Sequence, residues 1–149
     1  MARNEIVGMK ELEKAFKRLG KVPQTVATKA ARSGAKIAFK DAKSNAPVDQ
    51  GDLKSGIIMK PERRVKVGKK VYDIMMDPAK NDIFVKISKA GKRSYYPASQ
   101  EYGFMTVDGG YIPGYRFLRK SLTENTRIIT QTMVNEGIKA AEKALEARG

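Results

Sequence analysis

The sequence predicts an α+β fold: two N-terminal helices, a small antiparallel sheet of three to four strands, and a long C-terminal helix packed on that sheet. Three observations carry this prediction. Apolar residues recur with the helical period over residues 9–46 and again over 115–147. Between 53 and 102 they alternate with the strand period of two. A stretch rich in Gly and Asp, 103–114, separates the two patterns and reads as a loop. At 149 residues the chain fits one domain spanning 1–149.

The first helix is expected over 9–19, where Met9, Leu12, Phe16 and Leu19 share a face. Lys10, Lys14, Lys17 and Lys21 line another face. Gly20 is a plausible stop, and Pro23 suits the first turn of a second helix. That helix, 23–45, shows a small-residue face of Ala27, Ala31, Ala38, Ala42 and Ala46, with Val26, Ala30 and Ile37 beside it. Lys29, Arg32, Lys36, Lys40 and Lys43 recur at helical spacing on one side. Such a stripe is either a solvated face or a surface for a polyanion or an acidic partner.

Pro47 ends the helical part, because the residue before a proline is pushed out of the α region. Asp49 to Asp52 read as a turn, with Gly51 permitting it, and Leu53 leads into a strand through Met59. Pro61 marks a break. Val65 and Val67 alternate with Lys66, and Gly68-Lys69 can turn a hairpin into 71–76. Ile83, Val85 and Ile87 form the apolar side of another strand, and Tyr95-Tyr96 continue the sheet. Within the loop, Asp108-Gly109 can cap a hairpin tip. Its apolar Phe104, Met105, Tyr111 and Ile112 either face a partner or fold back on their own chain.

From Tyr115 to Ala147 one helix carries Leu118, Leu122, Ile129, Met133, Gly137, Ala140 and Ala144 along one stripe. Val134, Ile138, Ala141 and Leu145 widen it. Unbroken, it would run roughly 50 Å, so it either bends near Gly137 or projects onto a neighbour.

The chain holds 30 Lys+Arg against 16 Asp+Glu, a formal net charge of +14, and neither Cys nor His. A Ser-His-Asp triad, a Cys nucleophile, and His or thiolate metal sites are thereby excluded. The carboxylates are scattered; Glu101 and Asp108 could be nominated as an acid–base pair, as any two could. No enzyme activity and no cofactor are expected. The apolar runs are too short to span a membrane, and the start, Met1 to Ile6, lacks the apolar core of a secretory signal, so synthesis and retention in a cytoplasm are expected. Of the charge, residues 1–64 hold 15 basic and 7 acidic side chains, which favours polyanions or acidic partners.

Three segments in order carry a resemblance: Ala46-Pro47-Val48-Asp49-Gln50-Gly51-Asp52-Leu53, then Tyr95-Tyr96-Pro97-Ala98-Ser99-Gln100-Glu101-Tyr102-Gly103, then Arg116-Phe117-Leu118-Arg119-Lys120-Ser121-Leu122. With Met9-Lys10-Glu11-Leu12 at the start, the chain resembles the tail-completion, or head–tail joining, family of tailed bacteriophages over about residues 8–145. It departs from the usual pattern at Pro97 and Tyr115. The resemblance implies an α+β structural protein of the virion neck or tail that assembles into a homo-oligomeric ring. Its neighbours would be neck, connector or tail-tube proteins, with DNA in transit through the lumen and no membrane. The basic surface is then Lys14, Lys17, Lys29, Arg32, Lys36, Lys40 and Lys43. Tyr95, Tyr96, Tyr102, Phe104, Met105, Tyr111 and Ile112 would supply assembly contacts. Pro47, Asp49, Gly51, Leu53, Arg116, Phe117 and Leu118 would hold the fold.

Overall fold

The computed structural model describes residues 9–147, and the N-terminal hexapeptide read for a secretory signal lies outside them. The fold mixes helix and sheet, as predicted, but its elements are divided differently. The two expected N-terminal helices are one helix, α1 (Met9–Asn45), of 37 residues. Neither Gly20 nor Pro23 stops it. Proline in a helix interior removes one hydrogen bond and crowds the carbonyl four residues back, at about 3 kcal/mol. The next residue makes tertiary contacts. The Gln24 side-chain amide donates to the Lys69 carbonyl (3.1 Å) and accepts from the Gly68 N–H (3.1 Å). Gly68, at φ 79°, sits in the turn closed by the Lys69 N–H on the Lys66 carbonyl. That turn belongs to the 62–71 loop, so Val65 and Val67 are not the expected strand, and Val67 is exposed.

After α1, Gly51 adopts φ 82° and opens a short helix, α2 (Asp52–Gly56). The expected strand thus begins only at Ile57. Strand β1 (Ile57–Pro61) pairs antiparallel with β2 (Tyr72–Met76), Ile57 opposite Met76. A 3-10 turn (Pro78–Lys80) and α3 (Asn81–Phe84) follow. This helical turn shifts the side-chain phase, so Phe84 is buried while Ile83 and Ile87 are exposed, the reverse of the predicted face. β3 (Val85–Ile87) pairs with β4 (Arg93–Tyr95), and Tyr96 opens α4 (Tyr96–Tyr102) instead of extending a strand.

The expected loop is a hairpin. β5 (Gly103–Met105) pairs with β6 (Tyr111–Pro113). Its tip is closed by Thr106 and Gly110, with Gly109 at φ 80°. The single sheet of three or four strands is therefore three separate two-stranded ladders.

The last helix is also divided, at 124–125 and not at Gly137. α5 (Phe117–Thr123) and α6 (Thr126–Glu146) flank the break. There Asn125 donates to the Ser121 carbonyl, and the Thr126 hydroxyl donates to the Leu122 carbonyl. Such side chains compete with the helix for its backbone groups. α6 packs along α1 and not on a sheet. Gly137 lies against Val26 and Ala30, and Gly34 against Met133 and Ile129, so the two helices run antiparallel at close approach. Val134, Ile138 and Leu145 remain exposed on α6, and Leu122 on α5.

The core gathers at the C-terminal end of α1. Ala42 and Ala46 pack with Leu53, Ile57, Met76, Phe84 and Phe117, bordered by Phe39, Ile74, Tyr95, Tyr96 and Leu118.

Candidate functional site

Two surfaces and one joint carry the residues singled out by sequence. The first surface is the cation face of α1. Because α1 is continuous, the two lysine stripes become one. At 100° per residue, all ten cations from Lys10 to Lys43 fall within an arc of about 140°. Gly34, packed on α6, lies on the opposite side. The stripe extends roughly 50 Å along the axis. Lys14, Lys17, Lys29, Arg32, Lys36 and Lys40 are exposed; Lys43 is half-buried, with its ammonium 4.6 Å from the centre of the Phe39 ring. Among the described residues the one ion pair is Lys139–Glu136, within α6. Of the apolar face predicted beside the first lysine stripe, Phe16 and Leu19 are exposed, while the side chains of Met9 and Leu12 lie outside the described set.

The second surface is the β5–β6 hairpin. Phe104 faces Ile112, and Met105 faces Tyr111, in adjacent cross-strand pairs. Successive side chains point to opposite sides of a strand, so apolar groups stand on both faces. Tyr102, Phe104, Met105, Tyr111 and Ile112 are all exposed, and Val107 at the tip is fully so. The Tyr111 hydroxyl donates to the Tyr102 carbonyl, which steadies the base. Tyr95 and Tyr96, predicted for the same interface, lie elsewhere. Tyr95 is half-buried, edge-on to Phe84 with ring centres 6.2 Å apart. Tyr96 borders a small cleft of 140 Å³ with Pro47, Asp49, Leu53 and Phe84. Burial raises its phenol pKa above 10.0, and the carboxylates of Asp49 and Asp52 add to the rise.

The joint connects the second and third motifs. Glu101 is buried, at 5% exposure, and its carboxylate accepts the N–H of Leu118 (2.9 Å) and of Arg119 (3.0 Å). These are orphan donors of the first turn of α5. Beside them the Tyr115 N–H reaches the Gln100 carbonyl and the Arg116 N–H the Glu101 carbonyl. Arg116 takes φ 55°, the one positive-φ residue besides glycine among those described. That twist drives Phe117 into the core with no exposed surface and sets Leu118 against it. Gly103, at φ 88°, and Gly114 lie so close that a Cβ on either would meet backbone of the other. Asp108, the other carboxylate nominated by sequence, sits at the exposed hairpin tip. Both oxygens of Glu101 are engaged in capping α5, a role that sequence spacing did not reveal. Of the first motif, Pro47 is half-buried, Asp49 exposed and Leu53 buried, with Gly51 at the left-handed turn before it.

Among the described residues, no group of three or more carboxylate, His or Cys side chains could hold a metal ion, and no helix is long and apolar enough to cross a membrane. The balance of cover and exposure is unusual. Among the described residues nine apolar side chains are buried, four of them alanines, and eighteen large apolar ones are exposed. The chain exposes 11471 Å², where a compact monomer of its mass exposes about 7,500 Å². The ten residues outside 9–147 account for at most about 1,600 Å², taken at full unfolded-chain exposure.

No curated protein and no solved structure matches the chain significantly. One family model matches residues 10–93, more than half of the 149. Its description reads "Bacteriophage HK97-gp10, putative tail-component". The match takes in α1 with its cation face, the Pro47–Leu53 turn, and the first two ladders as far as Arg93, so the chain belongs to the HK97-gp10-like family of bacteriophage tail components.

Proposed function

We propose that the chain is a structural component of the neck or tail of a tailed phage, which completes the tail or joins it to the head. It acts by subunit assembly, as a single-domain part of a homo-oligomeric ring around the DNA path. Its place is the virion, among neck, connector or tail-tube proteins, and it needs neither a catalytic site nor a cofactor. The observation that carries this reading is the excess of exposed surface, roughly 2,300 Å² beyond what a compact monomer and the ten remaining residues account for. A standard interface covers about 800 Å² on each partner. A ring subunit has two such faces, and contacts with stacked neighbours cover more. Light scattering and negative-stain imaging, with the protein alone and mixed with its tail-tube partner, are expected to find closed rings in at least one setting. A strict monomer in both overturns the reading.

A second reading has its own support in the continuous cation face of α1. In this alternative the chain is a stand-alone basic domain that binds nucleic-acid backbone without reading sequence. Each phosphate neutralised contributes about 0.9 to the slope of log affinity against log salt on duplex DNA. Lys36→Glu with Lys40→Glu removes two cations from the middle of the stripe. The double variant should lose affinity equally for unrelated sequences, and its salt slope should fall by roughly two. Unchanged binding in a filter or anisotropy titration excludes the stripe as the contact surface.

A further inference from the structure

We infer that the β5–β6 hairpin tip of one subunit docks into a groove between α1 and α6 of a second copy of this chain. The inference rests on the assembly reading above and names its contact. The groove, of 430 Å³, is lined by Ala15, Leu19, Val22, Ala144 and Ala147, with Lys14 and Arg18 beside them. It is an apolar trough with a basic edge. The hairpin tip carries the complementary pair: Val107, fully exposed, followed by Asp108. Val107 fits the trough and Asp108 meets the cations on its edge.

The two features cannot meet within one chain. The groove lies at the N-terminal end of α1, at residues 14–22, where the end of the antiparallel α6 reaches it. The hairpin is rooted at Gly103 and Gly114, beside the cap of α5, at the end of α1 where Ala42 and Ala46 pack on Phe117. From Val22 to Ala42 the helix rises about 30 Å. The hairpin extends only about 14 Å from Gly103 to Val107. The trough of a neighbouring copy offers the tip an apolar lining for Val107 and the cations Lys14 and Arg18 for Asp108. A contact between unlike patches at opposite ends of a subunit is heterologous, so it repeats from copy to copy and closes a ring where the rotation allows.

The chain has no cysteine, so introduced thiols are unique probes. Val107→Cys and Ala15→Cys are both at exposed positions and leave the core intact. The two single variants, mixed under mild oxidation, are expected to form a disulfide-linked heterodimer on the order of tenfold faster than Ile87→Cys mixed with Ala15→Cys, because docking raises the local thiol concentration. Ile87 is exposed and lies on a different hairpin. Asp108→Arg in the Val107→Cys protein should slow the cross-link, and Arg18→Asp in the Ala15→Cys protein should restore it. Cross-linking at the control rate overturns the contact. If rings still form in that case, only this contact falls; if the protein is also a strict monomer with its partner present, the assembly reading falls with it.

Discussion

Replacing Glu101 with alanine is expected to lower the unfolding free energy by about 3–5 kcal/mol, the largest loss of any polar substitution in the described chain. Hydrogen bonds to an ionised group contribute about 1.5–3 kcal/mol each, and this carboxylate accepts two, from Leu118 and Arg119. Its removal also leaves the first turn of α5 without a cap, beside the fully buried Phe117. For a chain of this length the midpoint of thermal unfolding should fall by roughly 10 °C. Glu101→Gln keeps one accepting oxygen but turns its amide N–H₂ toward a backbone N–H, so its loss should be intermediate. Chemical denaturation of the three proteins measures this ordering. A loss under about 1 kcal/mol for the alanine variant would falsify the capping role.

Phe84→Ala should cost about as much, 3–5 kcal/mol, by a different mechanism. The Phe84 ring has no exposed surface, stands edge-on to Tyr95, and fills the space above Gly56, where a Cβ would collide with it. Truncation removes the ring's contacts and opens a cavity that joins the 140 Å³ cleft already bordered by Phe84 and Leu53. Water entering through that cleft reaches apolar walls that cannot bind it. The denaturant midpoint should drop at unchanged m-value. Phe84→Leu, which refills much of the volume, should recover part of the loss. Equal losses for both variants would show that the site collapses around either residue.

The sequence marked the small-residue face of α1, and the structure buries Ala38, Ala42 and Ala46 on it. The structure also buries Leu53 and Phe117, which belong to the first and third motifs. The errors have local causes. Gly20 reads as a stop and Pro23 as the first turn of a new helix, yet α1 runs through both, with Gln24 held by Gly68, 44 residues away. The alternation Ile83, Val85, Ile87 fits a strand perfectly, yet the helical turn at Asn81–Phe84 sends Phe84 inward instead. A period-two pattern carries no information about where the strand begins. The break falls at 124–125, and not at the bend offered near Gly137; its signal lies in Asn125 and Thr126, whose side chains compete for helix backbone groups. Glu101 was not legible: it caps a helix that begins sixteen residues later, and nothing in local spacing points there. For the candidate surfaces, the cations and the loop aromatics were visible as residues. Their union into one stripe and one protruding hairpin depends on the fold.

Among the described residues, three ladders of two strands leave each strand with one edge not paired to another strand, a template for edge-to-edge association. Five of the six strands carry a deterrent: Lys60 and Pro61 in β1, Asp73 in β2, Lys86 in β3, Arg93 in β4 and Pro113 in β6. β5, Gly-Phe-Met, carries none. Among the described strands, β5 is thus the unguarded edge. It lies at the base of the hairpin whose tip the proposed contact would hold, so a neighbour docked there would crowd the approach to this edge.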